Sequence, residues 1–109
     1  MATSLDILEQ LSGLAQGTAS GPLRNLHYFS GQSDPWSVTL PTLRVFTASG
    51  SYYNSPHGYG LTPEKAAARL LTCLHDLSTG EYVAVLRDGE WRRVSWNGRQ
   101  WRLETEKVR

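Results

Sequence analysis

Apolar side chains recur along this chain in two rhythms, one helical and one of strands. Leu5, Ile7, Leu8, Leu11 and Leu14 fall at helical spacing with Asp6, Glu9 and Gln10 turned away, which predicts an amphipathic helix over residues 4–16. Thr3 or Ser4 can cap it, and Asp6 suits the positive end of its dipole. A second stripe, Ala67, Leu70, Leu71, Leu74 and Leu77, leaves Lys65, Arg69, Thr72 and Asp76 outside and predicts the main helix over 62–78. Its start is marked by Thr62 as cap, Pro63 at the first helical position and Glu64 in the first turn, and Gly80 marks its stop.

Strand rhythm dominates the C-terminal part. Asp88-Gly89 and Asn97-Gly98 are the dipeptides that two-residue type I′ turns require, because both central residues need positive φ. They predict strands near 81–87, 90–96 and 99–105 and fix a register. In that register Leu86 faces Trp91, Ala84 faces Arg93, Trp96 faces Arg99, Val94 faces Trp101, Arg93 faces Arg102 and Trp91 faces Glu104. One face then carries Val83, Val85, Val94, Trp96, Trp101 and Leu103 and should receive the main helix. Arg92 falls on that face too, its stem expected to pack and its head to reach solvent. The opposite face carries Tyr82, Ala84, Leu86, Trp91, Arg93, Ser95, Gln100, Arg102 and Glu104.

Upstream, LHYF at 26–29 and TLRVFTA at 42–48 have strand composition, and Ser37–Leu40 reads as an edge strand ended by Pro41. Residues 49–61, rich in Gly, Ser and Tyr, read as a loop, and residues 16–21 as a flexible linker. The expected architecture is α+β: an antiparallel sheet with a C-terminal three-stranded meander packed against one main helix, plus a short N-terminal helix. Residues 1–20 would form helix and linker, and 21–109 a single domain.

Composition narrows the function without naming it. Eleven basic and ten acidic residues among 109 leave a net charge of +1, a poor fit to a protein that chiefly neutralises a nucleic-acid backbone. The balance is uneven: Arg87–Arg109 holds seven basic and four acidic residues, against four and six elsewhere. One cysteine, Cys73, cannot close an intramolecular disulfide. No signal-peptide pattern opens the chain and no apolar run is long enough to span a membrane, so a cytoplasmic location is the expectation.

Two surfaces stand out as partner-binding candidates. The first is the second meander face, where Tyr82 and Trp91 lie beside Arg93 and Arg102. Arginines beside aromatics can grip carboxylates or phosphates and stack bases; the bland alternative is a solvated face with Trp91 covered by another segment. The second is the tyrosine-rich stretch, Tyr52, Tyr53, His57 and Tyr59, whose residue types make adaptable recognition loops when they do not simply pack back on the core. Gly58 and Gly60 before a helix start resemble a phosphate cradle only weakly, since no Lys-Ser/Thr pair follows. Cys73 sits near the helix stripe, where a free cysteine is usually a small hydrophobe. His27, His57 and His75 are scattered, and with one cysteine they match no zinc pattern. No activated nucleophile is marked, and no catalytic residue, metal or cofactor is expected.

The run GYGLTPEKAAARLL followed by a strand meander ending in Trp is similar to short orphan proteins of phages and mobile elements. That resemblance rests on a helix cap and implies no residue-level role. The expected function is a small non-enzymatic protein-binding module, such as an accessory or inhibitor protein acting through a partner. A nucleic-acid-binding module on the Arg/Trp face is one alternative, and a small-ligand binder or unrecognised enzyme at the tyrosine-rich stretch is another. Trp91, Trp96 and Trp101 together with an amphipathic helix also leave a homodimer among the options.

Overall fold

Capping chemistry starts both helices where the sequence places it. In the computed structural model, which describes residues 3–15, 25–49, 52–53 and 56–107, helix α1 is Ser4–Gly13 and helix α2 is Pro63–His75. Thr3 and Asp6 form a reciprocal capping box on α1, and the Thr62 hydroxyl accepts from the Lys65 amide of α2. Residues 16–24, which include the expected linker, lie outside the described residues.

The fold is α+β with two antiparallel sheets. Strands β1 (Leu26–Tyr28), β2 (Trp36–Thr39) and β5 (His57–Gly60) form a three-stranded sheet in the order β1-β2-β5. Strands β3 (Leu43–Phe46), β4 (Tyr52–Tyr53), β6 (Tyr82–Arg87), β7 (Glu90–Trp96) and β8 (Trp101–Lys107) form a five-stranded one in the order β4-β3-β6-β7-β8. The C-terminal meander is part of a larger antiparallel sheet, because Leu43–Phe46 pairs with β6. Two expectations are corrected here. The strand expected at an edge, β2, is the centre of its sheet; Pro41 ends it by following it, outside the ladder. The expected loop at 49–61 contains β4 and β5, whose backbone hydrogen bonds are met by β3 and β2.

Helix α2 meets the two sheets in different ways. Gly58 and Gly60 turn toward it so closely that a Cβ on Gly60 would lie 2.5 Å from the Ala66 amide, and one on Gly58 would meet the Ala66 carbonyl oxygen and lie 2.7 Å from the Leu70 amide. These glycines are therefore the seat of the helix on its own preceding strand, not a ligand cradle. Against the five-stranded sheet the spacing is set by side chains. Leu70, Leu71 and Leu74 share one buried cluster with Leu43, Val45, Val83, Val85, Val94 and Trp101, and Val38 and Leu40 join it from the other sheet.

Helix α1 closes this cluster with Leu8 and Leu11, neither exposed to solvent. Its polar ties reach both neighbours. The Ser4 and Leu5 amides donate to the Glu64 carboxylate at 2.7 and 3.0 Å. The Gln10 side-chain amide brackets Trp101, donating to its carbonyl at 2.7 Å and accepting from its amide at 2.8 Å. Arg87 Nη1 donates to the Leu14 carbonyl at 2.9 Å. No helix among the described residues is long and apolar enough to cross a membrane.

Candidate functional site

The first meander turn forms as its dipeptide demands. Asp88 and Gly89 have φ of 53° and 75°, and Leu86 stands opposite Trp91 with Ala84 opposite Arg93. The second turn differs. Asn97 accepts from the Arg99 and Gln100 amides through Oδ1 (both 2.9 Å), and its own amide donates to the Gln100 carbonyl. This side-chain turn makes a four-residue connection. Trp96 now faces Trp101, Ser95 faces Arg102, and Val94 faces Leu103. The gain is apolar: the two indoles meet at 5.7 Å, and His75 stacks on Trp101 at 5.3 Å while meeting Trp96 edge-on at 5.0 Å.

The slip is by two residues, so each side chain keeps its face while its partner changes. Val83, Val85, Val94 and Trp101 are buried as expected, with Trp96 and Leu103 packed beside them. The expected pairing of Arg93 with Arg102 is overturned, as is that of Trp91 with Glu104. A ladder irregularity between Arg92 and Val94 removes Arg93 from direct opposition to β8. Two guanidinium groups are thereby kept from facing each other across strands. Arg92 behaves as a snorkelling side chain: it is 31% exposed, and its Nη1 lies 3.9 Å from the Glu90 carboxylate.

What the outer face presents is a row of rings with an arginine at each end. Arg44 lies over Trp91 at 4.4 Å, Trp91 meets Phe46 edge-on at 5.9 Å, Phe46 stacks with Tyr82 at 5.7 Å, and Arg93 lies over Tyr82 at 4.6 Å. For Trp91 to reach Phe46 from β7, its ring has to cross Ala84 on the intervening strand. The small side chain leaves that room, and Ala84 is fully buried. Phe46 is buried, Tyr82 and Trp91 are half-buried, and Arg93 and Arg102 are exposed. Arg44 and Phe46 were not among the nominated residues. Their alternation with Leu43 and Val45 put them on one side of a strand, but nothing local told which strand would lie next to it.

Of the tyrosine-rich nominees, His57 and Tyr59 do not converge with this row. Tyr52 and Tyr53 form β4, paired through the backbone with Phe46 and Val45, and their side chains fall outside the described part of the structure. His57 and Tyr59 lie on the other sheet, stacked on each other at 6.0 Å and exposed on its outer face. Ser37 stands between Tyr59 and His27 in the register, and Thr39 opposite His57. Cys73 is exposed rather than packed, on the rim of a cleft of about 440 Å³ also lined by Val45, Pro56, Thr72, Asp76 and Ser78. Neither His57 nor Tyr59 lines that cleft. Among the described residues no three His, Cys, Asp or Glu side chains gather as a metal site needs.

One carboxylate in this frame has a displaced titration. Burial pushes Glu64 up, but the Leu5 and Ser4 backbone amides donating to it outweigh that and hold it below its ordinary value. It is a helix tie rather than an acid–base group, since both oxygens are committed to α1. No family model, curated protein or solved structure matches this chain.

Proposed function

We propose that this chain is a small non-enzymatic protein-binding module, and that the outer face of the five-stranded sheet is its partner surface. The observation that supports this most is the row Arg44, Trp91, Phe46, Tyr82, Arg93. Aromatics and arginines are the residue types that dominate interface hot spots, and here each limits the other's freedom before any partner arrives. The row also favours a protein over a nucleic acid. A base stacks on a free ring face, whereas a face of Trp91 and a face of Tyr82 already lie under guanidinium groups.

The test is co-purification from the source cell with tagged wild type, a Trp91→Ala/Arg93→Ala variant and a Tyr59→Ala variant, each first checked for a cooperative unfolding transition. The reading expects a protein retained by wild type and Tyr59→Ala and lost by the double variant. Retention by all three, or capture of nothing by wild type, goes against it.

A further inference from the structure

We infer that the partner presents an acidic segment to this face, with carboxylates seated on Arg93 and Arg102; the inference rests on the protein-binding reading above and adds the partner's chemistry. Charge complementarity carries it. Arg44, Arg93 and Arg102 all lie on the outer face by strand alternation, and among the described side chains Glu104 is the acidic one that alternation places beside them. Among the described residues no carboxylate is paired with Arg93 or Arg102, and both are exposed. Glu90, the nearby acid at the first turn, is turned to Arg92, whose alternation places it on the inner face.

Geometry adds to charge. Arg93 is held over Tyr82, so ordering its long side chain costs little when a carboxylate arrives, and a guanidinium fork takes a carboxylate through two parallel hydrogen bonds. Arg102 stands opposite Ser95, two residues along β7 from Arg93 on the same face, so the two guanidiniums offer neighbouring seats rather than a single one. A lone phosphate could use such forks, but a nucleic-acid strand also needs its bases accommodated, and the rings are roofed.

The experiment uses the full chain and three fluorescently labelled probes of equal length: oligo-glutamate, oligo-thymidylate and an uncharged Gly-Ser peptide, followed by anisotropy at low salt. The glutamate probe should bind and the neutral one should not. Arg93→Gln/Arg102→Gln should weaken glutamate binding at least about tenfold. Arg93→Glu/Arg102→Glu should abolish it and create binding to oligo-lysine. The charged side chains are exposed, so both variants should keep a cooperative unfolding transition, its midpoint lowered only as far as the lost Arg93–Tyr82 contact requires.

Absence of glutamate binding overturns the inference. So does glutamate binding that survives charge reversal, or tighter binding of oligo-thymidylate, which would move the site to nucleic acid. A cellular partner lost by Trp91→Ala yet retained by the charge-reversed variant would separate the two ideas: the protein-binding reading would stand and the acidic partner would not.

Discussion

The two sheets turn aromatic side chains outward and treat them in opposite ways. On the three-stranded sheet Tyr59 is 48% exposed, and Phe29, just past β1, is 51% exposed. On the five-stranded sheet Phe46 is 3% exposed although it too lies on the outer side. Cross-strand neighbours explain the contrast. Tyr59 stands opposite Ser37 and His57 opposite Thr39, side chains too short to roof a ring. Phe46 stands opposite Tyr82, and Arg44 and Arg93 reach over the adjoining rings with long stems. The inner sides differ in the same sense. Glycines let the three-stranded sheet touch the backbone of α2, while valines, leucines and Trp101 hold the five-stranded sheet at side-chain distance. Each sheet is therefore vulnerable where the other is tolerant.

The largest effect should come from refilling the glycine seat. In Gly58→Val the new Cβ meets Ala66 and Leu70 backbone inside a helix, which cannot give as a side chain would. A loss beyond the usual overpacking cost, more than about 3 kcal/mol, is expected, and with it the cooperative urea transition. Val85→Ala, on the inner side of the five-stranded sheet, should be milder and leave a shifted but cooperative transition. Equal tolerance of the two substitutions would mean that α2 does not rest on β5.

Outward aromatics give the next test. Phe46→Ala should cost about 3 kcal/mol, the low end for a buried ring, since Trp91 and Tyr82 can partly close over the gap. Tyr59→Ala should stay within about 0.5 kcal/mol, as exposed substitutions do. Equilibrium denaturation of the two variants beside wild type decides it; comparable costs would show that the arginine roof contributes nothing to burial.

How much of this contrast could be read from the chain follows from how local each signal is. Asp88-Gly89 set its turn because both φ values come from those two residues. Asn97-Gly98 did not, because an Asn side chain can also close a longer connection, and the meeting of Trp96 with Trp101 and His75 is a tertiary reward that no dipeptide encodes. The face assignments held through that error because a slip of two leaves alternation intact. The site was half legible: Tyr82, Trp91 and Arg93 follow from alternation within the meander. Arg44 and Phe46 depend on β3 choosing β6 as its neighbour, a pairing across residues 47–81 that no periodicity announces. His57 and Tyr59 look like loop residues because glycine-rich strands lack β-propensity; their order is paid by the helix that packs on them.

A smaller effect than that of Phe46 concerns the helix that joins the two halves. Helix α1 is tied to the first turn of α2, beside β5, through Glu64, and to the five-stranded sheet through Gln10 at the edge strand β8 and Arg87 at the end of the central strand β6. Because the folded carboxyl of Glu64 is held below its ordinary value, its contribution is complete above the unfolded carboxyl range and is lost as pH falls through the folded value. Glu64→Gln keeps one acceptor and removes the charge, so it should cost about 1 kcal/mol near neutrality, the scale of a helix cap, and progressively less in acid. Amide exchange at Ser4 and Leu5 should rise in the variant at neutral pH, and wild type should approach it on acidification, with exchange in β6 and β7 changing less. A stability gap between the two proteins that stays constant through the acid limb would show that the Glu64 charge is not what holds α1 in place.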